Sequence, residues 1–240
     1  MKILALDSSG LVASVAVVSD DNLIGEYTIN YKKTHSQTLL PMIDEILTMT
    51  QTDKRSIDAI AVSGGPGSYT GLRIGSATAK GLGMALDIPL IHVPTLDAMA
   101  YNAYGYAGLV CTIMDARRSQ VYTGIYEFSD GKFNILLENS AITFDELMEK
   151  LDVLNTSGKK VMFIGDGIPV FKDRIDEHFK GTGYELAPAS MNRQRAASVA
   201  VLGGIYYNEG KTEAASEHLP DYLRLSQAER ELNEKRAANG

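Results

Sequence analysis

Two stretches of this 240-residue chain follow the same plan, and that repetition limits the folds open to it. Residues 2–6 (KILAL) and 11–18 (LVASVAVV) are apolar runs on either side of Asp7, Ser8, Ser9 and Gly10, the pattern of a hairpin around a polar turn. Residues 22–29 (NLIGEYTI) add a third strand, so the opening sheet reads as antiparallel. From Ser36 the period lengthens. Leu39, Leu40, Ile43, Ile46 and Leu47 fall at helical spacing and predict a helix over 38–49, with Ser36 or Thr38 as cap and Pro41 near its first turn. A buried strand (57–63), a helix (70–86), a short strand (88–93) and a helix from Thr95 complete the first half. The plan then restarts. Residues 109–116 and 121–128 flank a turn at Asp115, Ala116, Arg117 and Arg118, followed by a strand (133–139), a helix (143–151) and a strand (160–167). A late helix is predicted over 193–208.

The repeat is one of topology rather than of residues. It predicts an α/β chain with two lobes, residues 1–105 and 106–225, each a mixed sheet with helices, and a charged tail over 226–240. The helix 193–208 is expected to pack back on the first lobe. Two lobes that each open on a strand hairpin suggest the actin/Hsp70/sugar-kinase type of fold. In such folds a nucleotide sits between the lobes with the hairpin turns on its phosphates, although a fold by itself assigns no function.

The glycine-rich stretch 63–75 (SGGPGSYTGLRIG) sits where a phosphate loop would sit. It is not a Walker loop, because no lysine adjoins the last glycine, and not a dinucleotide loop, because Gly71 comes one residue late after Gly65 and Gly67. Backbone N–H groups at the start of the following helix still suit an anion. Beyond the turn, Gly71, Gly75, Ala79 and Gly83 recur every fourth residue and form a ridge almost without side chains. Glycine inside a helix costs about 0.5–1 kcal/mol, so such a ridge implies close approach by another backbone. Two partners are open: the chain's own sheet, or a helix of another subunit.

Composition removes several classes of function. The net charge of −7 disfavours direct nucleic-acid binding. Cys111 is the only cysteine, which excludes intramolecular disulfides and CxxC metal sites. Residues 1–10 carry no long apolar leader with a cleavage site, and no run reaches the roughly 18 apolar residues of a membrane span, so a cytoplasmic location is expected. The four histidines, His35, His92, His178 and His218, have no paired-ligand spacing, and no metal site is expected from them. Cys111 lies in a strand-like run and reads as a core residue. Asp7 and Asp115 at the two hairpin turns either cap those turns or hold a hydrated Mg²⁺ between the lobes. Arg117 and Arg118 are either solvated or bind an anion.

LALDSS at 4–9, THSQTLLPMI at 34–43, IDAIAVSGGPGSYTGLRIGSATAKGL at 57–82, MDARRSQVYTG at 114–124 and LPDYLR at 219–224 together resemble the TsaB (formerly YeaZ) family, over nearly the whole chain. These are B subunits of the bacterial tRNA threonylcarbamoyladenosine synthase. The chain departs from the family segment SGPGSFTGLRIG by one extra glycine and by Tyr69 in place of its aromatic. The resemblance implies a non-catalytic scaffold for modifying the adenosine next to the anticodon in tRNAs reading codons that begin with A. The paralogous transferase TsaD would be the catalytic partner, the ATPase TsaE would dock on the pair, and tRNA would be met only through the complex. TsaD holds its metal with two histidines in a segment like VNHLEAH, and Thr95 and Met99 stand at those positions here. The resemblance further implies a homodimer or heteromer through helices 38–49 and 70–86, with Leu39, Ile43, Ile46, Gly71, Gly75 and Ala79 in or beside the interface. Asp7, Ser8 and Asp115 would remain as a vestigial nucleotide site, with no cofactor required and weak ATP or ADP with Mg²⁺ at most. The competing reading is an ATP-dependent phosphoryl- or carbamoyl-transferase with its own interlobe site. A peptidase lacks both a nucleophile–base pair and a zinc site in this sequence.

Overall fold

The computed structural model describes residues 1–31 and 34–223, and the tail expected over 226–240 lies outside them. Strands β1 (Lys2–Asp7), β2 (Ala13–Ser19) and β3 (Asn22–Ile29) form an antiparallel meander. Strands β4 (Ala59–Gly65) and β5 (Leu90–Pro94) continue in parallel from the other side of β1, giving the order β3-β2-β1-β4-β5. The second sheet is built from β6 (Leu109–Asp115), β7 (Gln120–Ser129), β8 (Lys132–Thr143), β9 (Val161–Ile164) and β10 (Glu185–Leu186), in the order β8-β7-β6-β9-β10. Strand for strand this is the same arrangement, with β6 antiparallel to β7 and parallel to β9 as β1 is to β2 and β4. The fold is α/β of the two-lobed actin/sugar-kinase type.

The helices are α1 (His35–Met49), α2 (Tyr69–Leu86), α3 (Thr95–Tyr101), α4 (Phe144–Leu154), α5 (Ile168–His178) and α6 (Ala196–Asn208). A central strand such as β1 is covered on both faces, so its run is apolar throughout rather than alternating. Leu4 and Leu6 meet Leu39, Ile43, Ile46 and Ala79 from α1 and α2, while Ile3 and Ala5 meet Val199, Ala200 and Leu202 from α6. Small residues bring α6 close to the sheet: a Cβ at Gly203 would lie 2.7 Å from Ala61 Cβ. On the second sheet, α4 and α5 cover one face, with Phe144 and Phe171 stacked at 4.7 Å. The other face receives Leu96, Met99 and Ala100 of α3, which is therefore packed between the lobes. Helix α4 opens with a reciprocal cap in which Glu146 N–H donates to Thr143 Oγ1 and Thr143 N–H donates to Glu146 Oε2.

Helix α5 and strand β10 are not anticipated by the sequence pattern. Helix α5 buries only Ile168, Phe171 and Ile175 among charged neighbours, too thin a stripe to stand out. Among the described residues no helix is long and apolar enough to cross a membrane.

Candidate functional site

The loops after β1, β4 and β6 leave the same ends of their sheets and converge on a cleft of about 660 Å³. Ligands of open α/β sheets collect at such carboxyl ends. Ser9, Gly10 and Leu11 come from the first turn, Pro66 to Thr70 from the glycine turn, Asp115 to Arg117 from the second hairpin, Asp166 from the loop after β9, and Asp221 to Leu223 from the C-terminal segment.

The glycine turn serves packing. A Cβ at Gly67 would lie 2.3 Å from Ser9 O, at Gly71 2.0 Å from Ser8 O, and at Gly75 2.5 Å from Ser8 Oγ. Each contact brings α2 against the β1–β2 turn of the same chain, and Ser8 Oγ donates to Gly71 O at 2.9 Å. Two backbone donors of the turn are engaged locally: Ser68 N–H donates to Ser9 O at 2.7 Å and Gly71 N–H to Ser68 Oγ at 3.3 Å. Gly71, Gly75 and Ala79, expected in or beside a subunit interface, do not lie on the exposed face of α2. All three are buried against the first lobe itself, as are Leu39, Ile43 and Ile46. The exposed faces of the two helices carry other residues: Leu40 (56% exposed) and Met49 (66%) on α1, and Ala77, Gly81, Met84 (64%) and Ala85 on α2.

Asp7 also faces inward. Its Oδ1 accepts from Ser9 N–H at 2.9 Å and from Ser9 Oγ at 2.7 Å, and burial raises its carboxyl above the usual range despite those bonds. It does not line the cleft, and neither does Ser8. Of the two roles open to Asp7, the hydrogen bonds from Ser9 are those of a turn cap. Asp115 does line the cleft, accepting from Arg117 N–H at 2.7 Å, and its own N–H donates to Asp166 Oδ1 at 3.3 Å. Burial raises the Asp166 carboxyl, opposed by the Asp115 N–H bond. Arg117, Arg118 and Ser119 all hold left-handed φ values of 56–62°, a run rare for residues with side chains. The cleft thus has a first-lobe wall of Ser9 to Leu11 and Pro66 to Thr70 and a second-lobe wall that includes Asp115, Asp166 and Arg117.

Sequence reasoning missed Asp166 and the Tyr69–Tyr222 pair, whose rings lie 4.9 Å apart with Arg73 over Tyr69 at 4.2 Å. The aspartate stood in the strand-end stretch FIGDG, which repeats the strand-then-polar-turn pattern of LALDSS. Thr95 and Met99 are fully buried in α3, with Thr95 Oγ1 2.8 Å from Ser63 Oγ. Burial pushes the Cys111 thiol up to about 12.

A family model described as "TsaD: tRNA N6-adenosine threonylcarbamoyltransferase" matches residues 22–232. A Bacillus subtilis protein named tRNA threonylcarbamoyladenosine biosynthesis protein TsaB is 35% identical over 231 residues, covering 95% of this chain and 96% of its own. The chain belongs to the TsaB family. The Escherichia coli TsaB is 32% identical over 235 residues, covering 97% of this chain and 98% of its own. A solved structure of YeaZ from Pseudomonas aeruginosa superposes with a TM-score of 0.78 at 26% identity, covering 92% of this chain and 99% of that one. A second Pseudomonas aeruginosa structure, described as having similarity to peptidase YEAZ, gives 0.79 at 28% identity over 93% and 99%. The TsaB relatives therefore share both the sequence and the two-lobed frame with this chain.

Proposed function

We propose that this chain acts in tRNA threonylcarbamoyladenosine biosynthesis as a non-catalytic subunit that binds and positions the TsaD transferase. The observation that carries the reading is the state of α3. The positions that hold the metal histidines in the transferase segment are Thr95 and Met99, whose side chains are buried, with the threonine hydroxyl bonded to Ser63. A hydroxyl and a thioether packed into a core supply neither the charge nor the access that a catalytic divalent metal needs. The TsaE ATPase would dock on the assembled pair, and tRNA would be reached through that complex, consistent with the acidic chain. A weak ATP or ADP site with Mg²⁺ is compatible only with the second-lobe wall and is not required for the scaffold role.

The partner surface belongs on the exposed face of α1 and α2. Among the described residues nothing lies within 4 Å of where a Cβ on Gly81 would stand, so none of them accounts for a glycine there. The stripe Ala77, Gly81 and Ala85 lies beside exposed Met84, and a second helix can approach it closely. Light scattering of the chain alone and mixed with the TsaD of its organism tests this. A homodimer that yields to a stoichiometric heteromer is expected. Ala77→Arg should keep the fold and abolish both assemblies. An Ala77→Arg chain that assembles normally overturns the surface, and a wild-type chain that ignores TsaD overturns the role.

A further inference from the structure

At the β5 edge of the first sheet, a strap of residues 211–223 crosses back over the lobe. Leu90 and Glu213 exchange both backbone hydrogen bonds at 3.0 Å, and Asp221 N–H donates to Gly64 O at 2.7 Å, so main chain holds the strap at two points. Between them His218 turns inward and is fully buried. Its Nδ1 lies 2.6 Å from Glu213 Oε1, and its buried Nε2 has no hydrogen-bond partner. His92 of β5 faces it, with ring centroids 5.7 Å apart. Close packing fixes the His92 ring against the backbone, since a Cβ on Gly64 would fall 2.1 Å from its Cε1. The buried His92 Nε2 also lacks a hydrogen bond. Asp221 Oδ2 stands 3.3 Å away, near enough for charge attraction but off the hydrogen-bond direction.

One donor atom from each of His92, Glu213 and His218 lies within 4.8 Å of the other two. Two buried imidazole nitrogens without hydrogen bonds, one of them paired only with Asp221 by charge, are uncommon and call for an explanation. Two imidazoles and a carboxylate match the donor set of Zn²⁺ and similar transition metals, whereas Mg²⁺ and Ca²⁺ favour oxygen alone. Tetrahedral bonds of about 2.0–2.2 Å place donors roughly 3.3 Å apart, so side-chain rotations moving these atoms by about 1 Å complete the set. We propose that His92, His218 and Glu213 form a Zn²⁺-class site that pins the strap to the sheet edge, with Asp221 or water in the fourth position. A neighbouring cavity of about 410 Å³, lined by His92, Lys211 and Glu213 among others, provides the entry path. Lys80 is tied to His218 O at 3.0 Å, which leaves the imidazole itself available. The strap continues into Asp221, Tyr222 and Leu223 on the interlobe cleft, so the metal would fix one wall of that cleft as well. Spacing along the sequence conceals the site, because its histidines come from a strand and a strap far apart in the chain.

The test is a calorimetric titration of the full chain, stripped with chelator, with ZnCl₂. One Zn²⁺ per chain is expected. Metal at 100 times Kd should raise Tm by about 5–10 °C. His92→Asn should weaken binding by about 100-fold or more and Glu213→Gln by about 10–100-fold. In case the variants misfold, imidazole NMR of the wild-type chain reads the same question, since it has only four histidines. Zn²⁺ should shift His92 and His218 and leave His35 and His178 in place, the last two being held by Gly10 O and Asp152. Substoichiometric binding, equal affinity in folded His92→Asn, or shifts at His35 and His178 instead overturns the site.

Discussion

The same substitution made twice on one helix should have opposite signs. Gly71→Ala and Gly81→Ala each replace a helical glycine of α2, and each gains about 1 kcal/mol from helix propensity. At Gly81 nothing lies within 4 Å of the new methyl group, so that gain stands and the variant is more stable by about 0.5–1 kcal/mol. At Gly71 the methyl carbon would fall 2.0 Å from the backbone oxygen of Ser8, and backbone cannot rotate away as a side chain can. Overpacking of this kind costs about 1–3 kcal/mol, and separating the helix from the turn also weakens the bond from Ser8 Oγ to Gly71 O, worth about 1 kcal/mol. The sum leaves Gly71→Ala destabilised by about 1–3 kcal/mol, so the two variants differ by about 2–4 kcal/mol. Urea unfolding followed by far-UV circular dichroism, at a fixed low protein concentration to hold association constant, resolves a difference of that size as roughly 1 M or more between midpoints. Equal midpoints, or stabilisation at Gly71, would refute the close approach of α2 to the β1–β2 turn.

Gly75→Leu should unfold the chain rather than merely block assembly, because its Cβ already meets Ser8 Oγ at 2.5 Å; a folded monomer by circular dichroism would contradict this. Asp97 has its carboxyl raised to about 6 by burial, although Tyr126 Oη and Asn139 Nδ2 donate to it. A native value above the unfolded one gives stability that is complete below about pH 4 and lost as pH rises through 6. Asp97→Asn, which keeps an acceptor oxygen, should therefore flatten that slope and gain up to about 3 kcal/mol at pH 8; an unchanged slope in urea melts at pH 5 and pH 8 would overturn it. Cys111 is fully buried with its thiol pushed up to about 12, so a thiol reagent should modify it at the rate of unfolding; rapid labelling of the native chain would show access that the fold denies. Asp7→Ala strands two donors of Ser9 and should cost about 2–3 kcal/mol while leaving any Mg-ATP heat unchanged; a stable variant that loses nucleotide binding would restore Asp7 to the cleft.

The duplicated strand order was readable because each lobe's central strands are covered on both faces and so are written as continuous apolar runs. The same holds for the helices over 38–49 and 70–86, whose stripes are wide. What the sequence could not decide was the partner of the glycine ridge. A row of small residues at every fourth position looks identical whether a turn of the same chain or a helix of another lies against it. Here the deciding atoms, Ser8 O and Ser8 Oγ, come from the far side of the sheet's first turn. Once that ridge is placed inward, the helix itself dictates the rest. Ala77, Gly81 and Ala85 are offset by two residues from Gly75, Ala79 and Gly83, which at 100° per residue turns them to the opposite side. The stripe proposed to face a partner was therefore present in the sequence, one half-turn from the row that drew attention. Helix α5 and the His92–Glu213–His218 group were hidden for different reasons, the first by a thin apolar stripe and the second by contacts that only the closed strap creates.

The two hairpin turns began as equivalents in the repeat, and they diverge in their packing. In the first lobe Asp7 and Ser8 turn inward while Ser9, Gly10 and Leu11 line the cleft. Asp7 Oδ1 takes the Ser9 N–H, Ser9 O takes the Ser68 N–H, Gly10 O meets His35 Nε2 at 2.8 Å, and glycines at 67, 71 and 75 allow α2 to close over the whole turn. These bonds hold the turn in place, and it fixes the orientation of α2 through Ser8. In the second lobe the turn stays open, with Asp115 and Arg117 on the cleft and a left-handed run at its tip. The close packing of the first turn and the placement of α2 thus rest on the same contacts. The helix that presents Ala77, Gly81 and Ala85 outward is held by the same contacts that close the phosphate loop inward, so mutations that reopen the loop should also disorder the proposed partner surface.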